Sequence, residues 1–115
     1  MQFMLFMIPK DYQTASRDFK PDAKAMADMT KFNESLQKAG ALKSVNGLQP
    51  PAAGVRIAFD GDRPTTQHGP FAGTTETVGG YWILELNSQQ EAIDWATKCP
   101  ALAGDVIEVR QIADG

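Results

Sequence analysis

Between Gln67 and Ile83 the chain crowds Gly69, Pro70, Gly73, Gly79 and Gly80 into one stretch, His68-Gly-Pro-Phe-Ala-Gly-Thr-Thr-Glu-Thr-Val-Gly-Gly-Tyr-Trp82. A regular element does not tolerate that composition. Glycine reaches φ > 0 at little cost, and proline fixes φ while giving up a donor. The stretch is therefore a loop with demanding backbone geometry, and the β-like runs flanking it read as strands. It also holds the chain's only histidine, His68.

The remaining segments fall into order around it. Residues 2–8 are apolar and aromatic without a break, as in a strand buried on both faces. Pro21 reads as the first helical residue with Asp22 in the first turn; Met26, Met29, Phe32, Leu36 and Ala39 then recur at helical spacing toward a core, and Gly40 stands at a left-handed C-cap. Residues 41–48 form a weaker strand pattern, broken at Asn46-Gly47. Val55–Phe59, the turn signal Asp60-Gly61 and a return arm at 64–67 predict an inserted hairpin over about 53–67. Gly80–Leu86 is a strong strand. Ser88-Gln-Gln-Glu91 is a capping box, with the glutamate expected on the cap amide. Its helix should run to about Lys98 with Ala92, Ile93 and Ala96 inward, and Val106–Ile112 alternates as the last strand.

The order β-α-β, hairpin, β-α-β predicts a single α+β domain of the ferredoxin-like, split βαβ type: one antiparallel sheet with both helices on one face. Trp82, Leu84, Leu86, Ile107 and Val109 would lie beneath the helices. The other face would carry Tyr81, Ile83, Glu85, Glu108 and Arg110, with either Met4 and Phe6 or Phe3 and Leu5. Such a mixture of large apolar groups and charges is too greasy to stay bare. A homodimer in which two sheets face each other, a dimeric α+β barrel, would cover it. Arg110, enclosed there, needs a carboxylate from Glu85 or Glu108, with Glu85 on a neighbouring strand as the first candidate.

Composition narrows the partners. A net charge of −3 and a pI near 5.0 argue against nucleic acid or an acidic membrane as partner. Cys99, the one cysteine, has no internal disulfide partner and suits a reducing cytoplasm; its place at a helix end before Pro100 gives it a packing role. The apolar N-terminal run is about as long as one strand, ends at Pro9-Lys10-Asp11, and lacks the basic start of a signal peptide. A soluble, cytoplasmic protein is expected. One histidine and one cysteine, far apart, give a metal site little support, and no cofactor fingerprint is present.

With these blocks laid out, the chain resembles the DGPF, or YCII-related, family of small bacterial proteins. The resemblance lies in Gly47-Leu48-Gln49-Pro50, in Gly69-Pro70-Phe71-Ala72 with Glu76, and in Gly79-Gly80-Tyr81-Trp82. It continues in Glu91-Ala-Ile-Asp-Trp-Ala96 with Cys99-Pro100 and in Ile107-Glu108-Val109-Arg110, in that order along nearly the whole length. It implies a ferredoxin-like fold that dimerises through its sheets. It also implies a stress-response setting, since such proteins are often encoded beside extracytoplasmic-function sigma factors. The chain departs from the family signature at three positions: His68 replaces an aspartate, Gly73 an acidic residue and Thr75 a lysine. A role carried by that aspartate or lysine does not transfer to this chain.

Three readings of function follow. The first is small-molecule binding in or beside the barrel interior, with Tyr81 as lining and Glu85, Glu108 and Arg110 as orienting groups. The second is a lyase or isomerase acting on a small hydroxylated or aromatic substrate. His68 would be its general base and Glu76 a second acid–base group; against it, His68 also reads as a solvated loop residue, and no catalytic pair is visible. The third is a structural or regulatory module that docks another protein.

Overall fold

The computed structural model of the protein describes residues 1–114. Six strands and two helices follow one another: β1 (Gln2–Ile8), α1 (Ala23–Lys38), β2 (Leu42–Gly47), β3 (Val55–Asp60), β4 (Arg63–His68), β5 (Gly80–Glu85), α2 (Gln89–Thr97) and β6 (Val106–Gln111). The main sheet has the order β2-β5-β1-β6 and is antiparallel throughout. β3 and β4 pair with each other as a separate hairpin. The chain is thus an α+β protein.

The register decides which side chains share a face. Phe3 lies opposite Leu84, and Leu5 lies opposite Trp82 on one side and Val109 on the other. These residues join Phe32 and Leu36 of α1 and Ala92 of α2 in one buried core, so both helices pack on the same sheet face. Phe3, Leu5, Leu36 and Leu84 are fully buried, each burial favouring the fold by roughly 1.5–3 kcal/mol. Phe32 sits edge-on to Trp82, and the Trp82 indole Nε1–H donates to Asn33 Oδ1 at 2.8 Å. That bond ties α1 to a central strand and satisfies the buried indole N–H.

The helix ends depart in detail from the sequence pattern. Asp22, not a residue of the first turn, is the N-cap of α1, and its carboxylate accepts from the Ala25 amide. Pro21 therefore lies ahead of the helix. Gly40, at φ +72°, follows the C-cap residue Ala39 in the left-handed region that favours glycine. Ser88 caps α2, but the Glu91 carboxylate accepts from the Asn87 amide, one residue ahead of the cap. Ile93 is exposed, and Trp95 takes the inward place beside Ala96. Met26 of α1, which lines the groove described below, and the C-cap residue Ala39 are exposed as well. β1 is buried on one face only: Met4, Phe6 and Ile8 look away from the helices and are half-buried.

β3 and β4 have all their residues exposed. The hairpin is closed at its root by the Gly69 amide, which donates to the Gly54 carbonyl at 2.9 Å. A side chain at Gly69 would overlap the Pro51 carbonyl oxygen, which is a backbone atom that cannot swing aside. Glycine there is a requirement of close approach.

Candidate functional site

The uncovered sheet face is ordered in rows across the strands. Ser44, Ile83, Met4 and Arg110 form one row, and Asn46, Tyr81, Phe6 and Glu108 the next. Within the second row the Asn46 amide donates to the Tyr81 hydroxyl at 3.0 Å. Arg110 pairs with Glu108, two residues along its own strand, at 3.5 Å. Glu85 instead meets the Met1 ammonium at 3.3 Å. The expected Glu85–Arg110 pair is absent within one chain for a topological reason. β1 lies between β5 and β6, and Glu85 is aligned with Gln2 whereas Arg110 is aligned with Met4. Two strand spacings of ~4.8 Å separate them. Tyr81 and Ile83 are half-buried, while Glu85, Glu108 and Arg110 are exposed.

His68 and Glu76 do not join this group. His68 is the last residue of β4, exposed and paired across the hairpin with Val55. It belongs to a strand, not to the loop, and lines neither the groove described below nor the smaller cleft beside Glu85 and Trp95. Glu76 is exposed in the following loop and also lines neither. Among the described residues no cluster of three His, Cys, Asp or Glu side chains is placed to hold a metal ion.

The principal cavity is a groove of about 1340 Å³ where the sheet ends. Met7, Gly47 and Gly79 mark that end; Ala25, Met26, Met29 and Asn33 of α1 form one wall, and the segment from Pro9 to Pro21 forms the other. This second wall is built by specific bonds. The Tyr12 hydroxyl donates to the Leu48 carbonyl at 2.6 Å, and burial pushes its pKa up, so the phenol stays a donor. Phe19 packs edge-on to Tyr12 at 5.6 Å between ring centroids. Both oxygens of Asp105 accept backbone amides, from Lys10 at 3.0 Å and Leu102 at 2.9 Å, which fastens the segment to the loop before β6. Asn33 lies at the wall with its Oδ1 committed to Trp82. Lys10, Arg17 and Lys20 also line the groove, together with Asp11 and Asp18. The site can hold an apolar body among Tyr12, Phe19, Met26 and Met29 and meet a polar head with either sign of charge.

Sequence reasoning passed over this groove. Its second wall is polar and irregular in sequence, and the only signal in it is two aromatics, Tyr12 and Phe19, set in a polar run between Pro9 and Pro21. Met26 and Met29 read as core, whereas Met26 is exposed at the groove.

Cys99 is half-buried against the core, and its thiol is pushed up to about 11, first by burial and then by the Asp105 carboxylate. At pH 8 the thiolate population falls about 100-fold relative to a thiol at the ordinary value, and the higher nucleophilicity of a more basic thiolate restores about tenfold. Iodoacetamide should therefore modify Cys99 about tenfold more slowly in the folded protein than in urea. The folded state holds the proton more tightly than the unfolded one, so stability should fall as pH rises from 9 toward 11. Equal alkylation rates in both states would refute the burial of the thiol.

A four-stranded antiparallel sheet carrying two helices on one face, with a groove at its end, places the chain among small α+β domains. The family model of the YCII-related domain matches residues 1–114, and the chain belongs to that family. It is also similar to an uncharacterised protein of Rhizobium meliloti (strain 1021), with 28% identity over 83 residues, which span 72% of this chain and 67% of that one. Among the described residues no helix is long and apolar enough to cross a membrane.

Proposed function

We propose that the protein is a small-molecule-binding homodimer of ferredoxin-like topology, with the ligand seated in the groove between α1 and the Pro9–Pro21 segment. The groove carries the reading: a single chain already forms an open groove of about 1340 Å³ there, roomier than the ~300–1000 Å³ of ordinary ligand pockets. Its mixed lining of aromatic, thioether and charged groups is that of a binding site. The strand order β2-β5-β1-β6, with each helix linking strands that are not neighbours, supports the split βαβ topology. The half-buried apolar residues of the open sheet face support closure by a second copy, with Tyr81, Glu85, Glu108 and Arg110 lining the enclosed interior. That interior is the second place a ligand could sit. The groove is preferred because it exists in one chain. A lone cysteine supports a reducing, cytoplasmic setting.

Native mass spectrometry of the purified protein and a thermal-shift screen of small organic compounds test the reading together. Binding should raise Tm, and Met26→Trp, which sets an indole over the groove from an exposed helical position, should abolish the shift while leaving the unliganded Tm within about 2 °C. A ligand shift that survives in the Met26→Trp protein, or a screen without hits, would count against the groove.

A further inference from the structure

The hairpin is the surface that neither the groove nor the sheet face accounts for. One of its faces is held to its own chain: the Arg56 guanidinium stacks on Phe71 at 4.2 Å from the ring centroid and donates to Thr74 Oγ1 at 3.4 Å. The opposite face carries Val55, Ile57 and Phe59 at 50%, 51% and 77% exposure, with Pro64, Thr66 and His68 paired beside them. A two-stranded hairpin with an uncovered apolar face is marginal in water.

The area of the chain says how much surface is left to cover. The accessible surface is 7926 Å², whereas a compact monomer of this mass exposes about 6,200 Å². The radius of gyration is 15.8 Å, against about 13 Å for a compact chain of this length. The surplus of about 1,700 Å² is roughly twice what a standard interface takes from each partner. The open sheet face, four strands wide and six residues long, has a footprint of only about 400 Å². Even doubled for side-chain relief, it leaves about half of the surplus elsewhere, shared between the open groove and the hairpin, whose strands are exposed throughout. Asp60 faces Arg63 at the tip, and two aspartates balance two arginines along the hairpin, so it offers no basic patch to an acidic membrane or nucleic acid.

We infer that the Val55–Ile57–Phe59 stripe is a dimer arm that packs on a second copy of this chain, in the two-fold assembly proposed above, on which this inference rests. Each arm is used twice under two-fold symmetry, which is how one stripe covers area on both copies. The arm is exposed in the single chain, so charges placed on it leave the fold intact while acting on association.

Sedimentation of the wild type, of the double variant Ile57→Lys/Phe59→Lys and of Ile83→Glu, with a benzophenone amino acid placed at Phe59 for photo-crosslinking, tests it. The wild type should be a dimer at micromolar concentration. The arm variant should keep its far-UV spectrum and bind its partner at least about tenfold more weakly. Crosslinking in a mixture of isotopically heavy and light chains should give products that join the two. A monomeric wild type would overturn the dimer and the arm together. A dimer that Ile83→Glu disrupts but the arm variant does not, or one without interchain products from position 59, would overturn the arm alone.

Discussion

Ile83→Glu should separate the proposed homodimer into folded monomers. Ile83 occupies the middle of the open face, flanked in its row by Ser44 and Met4. In one chain it is half-buried and lies away from the helices, so a carboxylate there leaves the core untouched. Between two facing sheets the same carboxylate loses its water, while Arg110, two strands away in the same row, is already paired with Glu108; a buried charge left short of compensation costs several kcal/mol. Two-fold symmetry places one such charge on each copy. The dissociation constant should rise by at least about a thousandfold, ~4 kcal/mol, read by sedimentation with the far-UV spectrum unchanged. Arg110→Ala gauges the same enclosure. In a lone chain the Arg110–Glu108 pair is solvent-facing, with side chains 69% and 46% exposed, and its loss costs less than about 1 kcal/mol. Enclosed between sheets, the loss strands Glu108 and costs ~3–5 kcal/mol. An undiminished Ile83→Glu dimer would move the interface off this face.

Phe32→Ala should lower stability by ~3–5 kcal/mol and Tm by more than about 10 °C. Phe32 is the buried link of an aromatic trio, edge-on to Trp82 at 5.8 Å and to Trp95 at 6.3 Å between centroids. It thereby joins α1, the centre of the sheet and α2 in one contact. Truncation leaves a cavity lined by two indoles whose backbones belong to different elements, so neither can close it without shifting an element. Urea unfolding gives the free energy, and the near-UV spectrum should report the loosened tryptophans. A cost below 1 kcal/mol would show that the helices are held mainly by Leu36 and Ala92.

The elements of this chain were legible where a local rule acts alone. Ser88 and Glu91 announce α2 because a cap needs only the next three residues, and Gly40 marks the end of α1 because few residues other than glycine take φ +72° freely. The alternation in 80–86 and 106–110 told the faces of two strands but left open which half of β1 joins them. Pairing settles it: Phe3 and Leu5 face the helices, and Met4 and Phe6 the open side. The Glu85–Arg110 pairing failed because it treats β5 and β6 as neighbours, and strand order is a property of the whole chain that alternation does not encode. The groove was hidden for a similar reason. Its walls come from α1, from the turn after β2 and from a segment whose order rests on single bonds, Tyr12 to Leu48 and Asp105 to the Lys10 amide, between residues far apart in sequence.

The place of β1 in the sheet also sets the order in which the chain can mature. It comes first in the sequence yet pairs with β5 and β6, so Phe3 waits for Leu84 on one side and Gln111 on the other. Such non-local pairings slow folding, because loops must close before contacts can offset them. During synthesis the run from Phe3 to Ile8 leaves the ribosome long before either partner strand exists. Through that interval it is an unpaired apolar strand, the kind of segment on which chaperones act and from which aggregates start. The emergence of β5 ends that interval, and β6 closes the other edge of β1.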